Sequence, residues 1–262
     1  MKYPVLVLLI MGMLTGSGYA LTPAEQKGLD IALETERRDK GFENYEAKGR
    51  MILQSPNGEI AEREFTMYTL EVEDDGDKRV VRFVEPRDLA GMVSLTYSHG
   101  LEPDDQWLYL PALRRTKRLA ARDKTGSFAG SEFAFEDIGT WEVKKYRYEY
   151  LQDDDLDGIA TFKVKNIPAY PYSGYSHMFE WVDQKIYQPR RLLYHDVAGR
   201  PLKELRFYDY RQFLGQYWRP MKTVMTNLQT GAQSTIEWSE YKFRTSVQEH
   251  RFNSNVLRRW SN

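Results

Sequence analysis

Hydrophobic positions along the chain follow two rhythms. From Thr22 to Lys40 they recur at helical spacing. Leu29, Ile31, Ala32 and Leu33 supply an apolar stripe, Thr22 stands where a cap belongs, Pro23 at the first helical position and Glu25 at the third. The helix is predicted to end near Lys40-Gly41. After Gly41 the period shortens to two, and runs of alternating apolar and polar residues are separated by polar turns. Strands are predicted over 45–54, 59–73, 78–84, 92–98 and 106–110, then over 141–151, 159–166, 175–183, 190–197, 202–213, 217–228 and 232–244. A weaker helical pattern lies at Asn255 to Trp260.

That is a succession of about eleven strands with no helix between neighbours. Short turns require antiparallel pairing, because parallel neighbours need long crossovers. No composition shift or repeat divides the mature chain. The predicted fold is mainly β: one large antiparallel meander, strongly curved or barrel-like, with the N-terminal helix packed on it. Residues 111–140 alternate poorly and read as a long, partly ordered loop, a kind that is usually functional or mobile. Residues 168–174 read as a second irregular segment.

Many strands carry apolar residues on one face and polar ones on the other; Leu205 and Phe207 oppose Arg206, Tyr208 and Tyr210. A curved sheet with a greasy concave face either fills its inside with side chains or keeps a cavity for an apolar ligand. Aromatic residues make up 14% of the chain, which suits both strands and apolar pockets and does not separate the two.

Composition removes several alternatives. Among 262 residues there are 37 Lys and Arg against 38 Asp and Glu, and no cysteine. The lack of cysteine excludes disulfides, thiolate metal sites, a thiol nucleophile and a lipidated cysteine. The balanced charge argues against a nucleic-acid binder. At the N-terminus, Lys2, the apolar run Val5 to Leu14, and Gly18 and Ala20 at the −3 and −1 positions form the pattern of a signal peptide, residues 1–20. The mature chain is expected to begin at Leu21, in the periplasm, where a free thiol would be a liability. No second hydrophobic run reaches 18 residues, so no transmembrane segment is expected in the mature chain.

Sites of chemistry are scarce. Asp153-Asp154-Asp155-Leu156-Asp157-Gly158 begins like a calcium loop, but Val164 stands at the twelfth position and strands flank it, so it reads as an acidic hairpin turn. His99, His177, His195 and His250 make no metal spacing, and Ser127 in Gly126-Ser127-Phe128-Ala129-Gly130 is misplaced for a nucleophile elbow. No catalytic residue, metal or cofactor is assigned. Arg114, Arg115, Lys117, Arg118 and Arg122 form a basic cluster, read either as a solvated loop or as a contact for lipid headgroups or an acidic partner.

The signal peptide, the opening helix, the strand run, Leu110-Pro111-Ala112-Leu113-Arg114-Arg115 and Ser127-Phe128-Ala129-Gly130-Ser131-Glu132-Phe133 together resemble the outer-membrane lipoprotein-sorting (LolA-like) family. The resemblance is closer to its longer branch, found beside RND-type lipid exporters, and covers essentially all of residues 21–262. It implies an unclosed β-barrel covered by helices around a hydrophobic cavity. It also implies carriage of lipoprotein or lipid cargo across the periplasm without catalysis, from an inner-membrane RND-type exporter to an outer-membrane acceptor.

Such a carrier answers a physical need. At roughly 0.8 kcal/mol per buried CH₂, an acyl chain of about sixteen carbons resists water by at least about 10 kcal/mol. Cavity candidates on the concave face are Trp107, Tyr109, Phe128, Phe133, Phe135, Met178, Trp181, Met221 and Trp238, with Met67 and Met225 as further adaptable packing. Arg114 and Arg115 are the candidates for headgroup or partner contact. A second reading is a lipoprotein- or lipid-sensing module that signals through a protein partner; a third is a periplasmic hydrolase.

Overall fold

The computed structural model describes residues 20–73 and 75–261; the expected signal peptide therefore lies outside the described residues, except for Ala20. Helix α1 (Pro23–Asp39) starts as predicted. The Glu25 backbone N–H donates to Thr22 Oγ1 at 3.2 Å, and the Thr22 backbone N–H donates to Glu25 Oε2 at 2.8 Å. This reciprocal box satisfies two amides that a helix start leaves open.

The strands follow in chain order. They are β1 (Asn44–Gln54), β2 (Ile60–Leu70), β3 (Lys78–Glu85), β4 (Val93–Tyr97), β5 (Asp105–Leu110) and β6 (Arg115–Arg118), then β7 (Tyr146–Leu156), β8 (Ile159–Pro168), β9 (Tyr175–Asp183), β10 (Pro189–Asp196) and β11 (Pro201–Tyr208). The last are β12 (Arg211–Phe213), β13 (Tyr217–Arg219), β14 (Lys222–Asn227) and β15 (Gln233–Phe243). Thirteen of them form one antiparallel sheet in the order β6-β5-β4-β3-β2-β1-β15-β14-β11-β10-β9-β8-β7. Because β15 pairs with β1, the two halves of the meander join, and β6 and β7 are the two edges of an unclosed barrel.

Two predicted strands are broken. The 202–213 and 217–228 runs each split, since Asp209 takes a left-handed conformation (φ 56°) and the chain leaves the sheet as the β12–β13 ribbon. Gln216 Nε2 donates to the carbonyls of Arg38 and Lys40 at 3.3 Å, so the ribbon docks on the end of α1. The acidic run is strand up to Leu156, and Asp157-Gly158 (φ 56° and 84°) makes a two-residue turn to Ile159.

The segment 111–140 differs most from expectation. It is ordered: residues 115–118 form the exposed edge strand β6, and residues 126–138 thread the inside of the sheet. Phe128 and Phe133 are buried, and the motif closes on itself: the Phe128 N–H donates to Phe133 O at 2.7 Å, and Ser131 Oγ donates to Phe128 O at 2.7 Å. Around this plug, Phe83 of β3 packs on Phe128 at 5.6 Å, Gln106 of β5 bonds Phe135 O, Tyr175 of β9 bonds Asp137, and Ser234 of β15 bonds the Glu132 N–H. One loop reaches strands from both halves only because the sheet curls around it. A separate outer core, Val80, Leu95, Tyr109, Phe252, Leu257 and Trp260, lies under the C-terminal segment and its short helix α2 (Arg258–Ser261).

Candidate functional site

The curled sheet does not fill its interior. A cavity of about 990 Å³ lies between α1 and the inner faces of β7 to β11. That volume is at the upper end of the roughly 300–1,000 Å³ usual for small-molecule sites. α1 contributes Gly28, Ile31, Ala32 and Thr35. It comes close because Gly28 lies on β7, where an added Cβ would stand 2.9 Å from the Tyr150 backbone nitrogen. The strands contribute alternate residues, as the pleat requires: Tyr146 and Tyr148, then Met178, Glu180 and Val182, then Leu192 and Tyr194, then Leu205 and Phe207. Trp141, stacked on Tyr146 at 4.0 Å, closes one side, and Phe42 and Tyr45 another.

The wall also carries charge, and acidic side chains outnumber basic ones on it. Arg219 is 7% exposed; its Nη1 donates to Asp39 Oδ1 at 2.5 Å, and its guanidinium lies 5.0 Å from the Tyr45 ring and 5.6 Å from the Phe42 ring. Burial raises the Asp39 carboxyl even beside this arginine. Three further carboxyls on the wall are pushed up chiefly by burial: Asp77 to about 6, Glu142 to about 7 and Glu180 to about 7. At Glu142 the Asp77 charge adds to the rise. Asn166 donates to Glu180 at 2.6 Å, which opposes the rise without cancelling it.

This arrangement has solved counterparts. A domain from Vibrio parahaemolyticus, provisionally named an outer membrane lipoprotein-sorting protein domain, is 42% identical, covers 89% of this chain and 99% of its own, and superposes with a TM-score of 0.87. The chain belongs to the LolA-like outer-membrane lipoprotein-sorting family. A family model described as "Uncharacterized protein" matches residues 75–259. The LolA-like fold is shared at lower identity by a DUF1329 family protein from Desulfovibrio piger (23% identity, 90% and 100% coverage, TM-score 0.85). It is shared too by a LolA superfamily protein from Nitrosomonas europaea (19% identity, 89% and 98% coverage, TM-score 0.69). No curated protein gives a significant match.

Within this LolA-like chain the residues expected to line the cavity are dispersed. Met178 lies on the wall. Trp181 faces the other way, because Met178, Glu180 and Val182 take the inward positions of β9; its Nε1 donates to Asp154 Oδ2 at 2.8 Å. Trp107 and Tyr109 belong to the outer core, Trp107 lying against Tyr97 at 5.0 Å. Phe128, Phe133 and Phe135 build the internal plug, and Trp238 packs edge-on to Phe65 at 5.5 Å; these four share the inner core with Met178 but stand off the cavity wall. Met221 is half-buried where the chain re-enters the sheet, also off the wall. Met67 and Met225 are core residues.

Arg114 and Arg115 are exposed on the β6 edge. Arg118 of the same strand pairs with Asp105. Sequence reasoning missed Glu180, Glu142, Asp77 and the Asp39–Arg219 pair. The available signal was a charged residue at an inward position of an otherwise apolar face, and that depends on knowing the register.

Proposed function

We propose that the protein is a periplasmic carrier that shelters the acyl chains of a lipoprotein or lipid in the cavity and shuttles them towards the outer membrane, without catalysis. The observation that carries this reading is the cavity itself: about 990 Å³, with Ile31, Met178, Val182, Leu192, Leu205 and Phe207 on its wall, inside an unclosed barrel. An acyl chain gains by leaving water, and these apolar side chains can pack along it, Met178 being the most adaptable of them. The sorting role in the provisional name of the Vibrio parahaemolyticus domain supports the same reading.

The basic edge at Arg114 and Arg115 is suited to anionic headgroups or an acidic partner. An RND-type exporter as donor and an outer-membrane acceptor complete the proposed route. The test is purification of the exported protein from the periplasm, then extraction and lipid mass spectrometry. Stoichiometric lipid or lipopeptide is expected. A protein that yields none and takes up none from added lipid overturns the reading.

A further inference from the structure

We propose that the cavity holds a subsite for a cationic alkylammonium head at Glu180, so that the cargo class is an amphiphile joining a positively charged amine to an apolar chain. This rests on the reading of the cavity as a chain-binding site and adds the chemistry of the head.

The argument begins with a missing partner. Glu180 projects into the cavity from the centre of β9, between Met178 and Val182. Its cross-strand neighbours are Val164 and Leu192. Among the described residues it forms no ion pair, and its side-chain partner is the neutral amide of Asn166. A carboxylate in apolar surroundings is unfavourable unless a cation or several donors meet it. Two wall carboxylates meet this rule, since Asp39 has Arg219 and Asp137 has Lys203. Glu180, like Asp77 and Glu142, has no ion-pair partner among the described residues. Of these three it alone stands on a strand, its inner-face neighbours being Met178, Val182 and Leu192, and an open space adjoins it.

The rest of the surroundings also suit a cation. Glu180 acts electrostatically on three wall phenols: Tyr148 of β7, Tyr194 of β10 and Tyr210 beyond β11. Tyr194 pairs with Met178 on the neighbouring strand and so flanks Glu180 diagonally, whereas Tyr148, paired with Asn166 of β8, stands two strands away on the same wall. The Tyr148 and Tyr210 hydroxyls donate to the carbonyls of Val143 and Pro189, at 3.1 and 2.6 Å, and do not donate to Glu180. Aromatic faces around a carboxylate are how proteins hold alkylammonium groups, through attraction to the ring faces and to the charge. Of the further ionisable groups acting on this part of the wall, Glu36 and Glu142 at Tyr148 and Asp137 and Glu136 at Tyr194 are acidic. The basic ones, Lys203 at 5.4 Å from the Tyr194 ring and Arg190 and Arg219 at Tyr210, are already paired with Asp137, Asp183 and Asp39.

The test is calorimetric titration of the intact mature chain with decyltrimethylammonium, decanoate and decanol, all below micelle formation. At about pH 8 the ammonium probe should bind about tenfold or more tightly than decanoate. In the wild type this preference should shrink as pH falls below the raised range of Glu180, about 7, while decanol binding stays constant. Glu180→Gln should remove the preference and keep decanol affinity.

Decanol binding without ammonium preference, or a preference that survives in a folded Glu180→Gln, overturns this inference alone. If the variant does not fold, a wild-type preference that ignores pH overturns it. If the protein binds none of the three probes, the carrier reading fails with it.

Discussion

Lys203 Nζ stands 2.6 Å from Asp137 Oδ2, and both side chains are almost completely buried. The pair ties β11 to the plug that fills part of the barrel. Asp137 also accepts from the Tyr175 hydroxyl and the Ala134 backbone N–H, each at 2.7 Å. Lys203→Met would leave that carboxylate buried without its cation. Removing one member of a buried pair typically costs about 3–5 kcal/mol, whereas replacing both by apolar residues is often near neutral. Urea denaturation should therefore show a large loss for Lys203→Met and partial recovery for Lys203→Met/Asp137→Leu.

Gly28 offers a prediction whose sign is unusual. In an exposed helix interior, Gly→Ala stabilises by about 1 kcal/mol. Here the new Cβ would meet the β7 backbone at 2.9 Å. Gly28→Ala should lower stability by about 1–3 kcal/mol, the range for overpacking. The thermal midpoint reads this directly, and a gain would mean that α1 does not lie against β7.

Stability should fall as pH rises through the weakly acidic range. Burial lifts Glu142 and Glu180 to about 7 in the folded state, from an ordinary 4.5. Between those values the folded chain holds protons that the unfolded chain has released, so raising pH favours unfolding. At lower pH the slope reverses, because Asp183 is held below its usual range: its burial is outweighed by the Ile186 amide, the Arg190 side chain and the Lys185 amide. Its contribution is present above its unfolded pKa and is lost as pH falls through the depressed one. The thermal midpoint should peak in acid, near the ordinary glutamate range, and Glu142→Gln with Glu180→Gln should flatten the fall above it.

The β6 edge should govern attachment to anionic membranes. Among the described residues Arg114, Arg115, Lys117 and Arg122 make no ion pair, in contrast to Arg118. Each basic residue near an anionic surface contributes about 1 kcal/mol. Arg114→Glu/Arg115→Glu should therefore weaken co-sedimentation with phosphatidylglycerol vesicles more than about tenfold, while decanol binding stays unchanged. Equal sedimentation of variant and wild type would show that the edge is merely solvated.

Much of this architecture was legible in the sequence, for identifiable reasons. The α1 start was readable because the Thr22–Glu25 box is local. The meander was readable because alternation and turn residues repeat along nearly every strand. Leu205 and Phe207 share the inner face as their alternation predicts, but Tyr210, expected on the opposite face, also reaches the cavity wall because the strand breaks at Asp209. The plug was not readable: Phe128 and Phe133 are buried by contacts with distant strands, which no local period records. Trp181 looked like a cavity residue because it is large and aromatic, yet its face is fixed by pairing with β8 and β10. Glu180 was hidden for the same reason, one position away.

The central claim is that the hollow under α1 holds an apolar chain. Leu192 and Leu205, paired neighbours on β10 and β11, both face it. The decisive measurement is equilibrium binding of a fluorescent fatty-acyl probe to the wild type and to Leu192→Trp/Leu205→Trp, with folding checked by near-ultraviolet circular dichroism. The account predicts saturable binding by the wild type and a loss of about tenfold or more when two indoles occupy the space. Equal affinity in the filled variant, or no binding by the wild type, would contradict it.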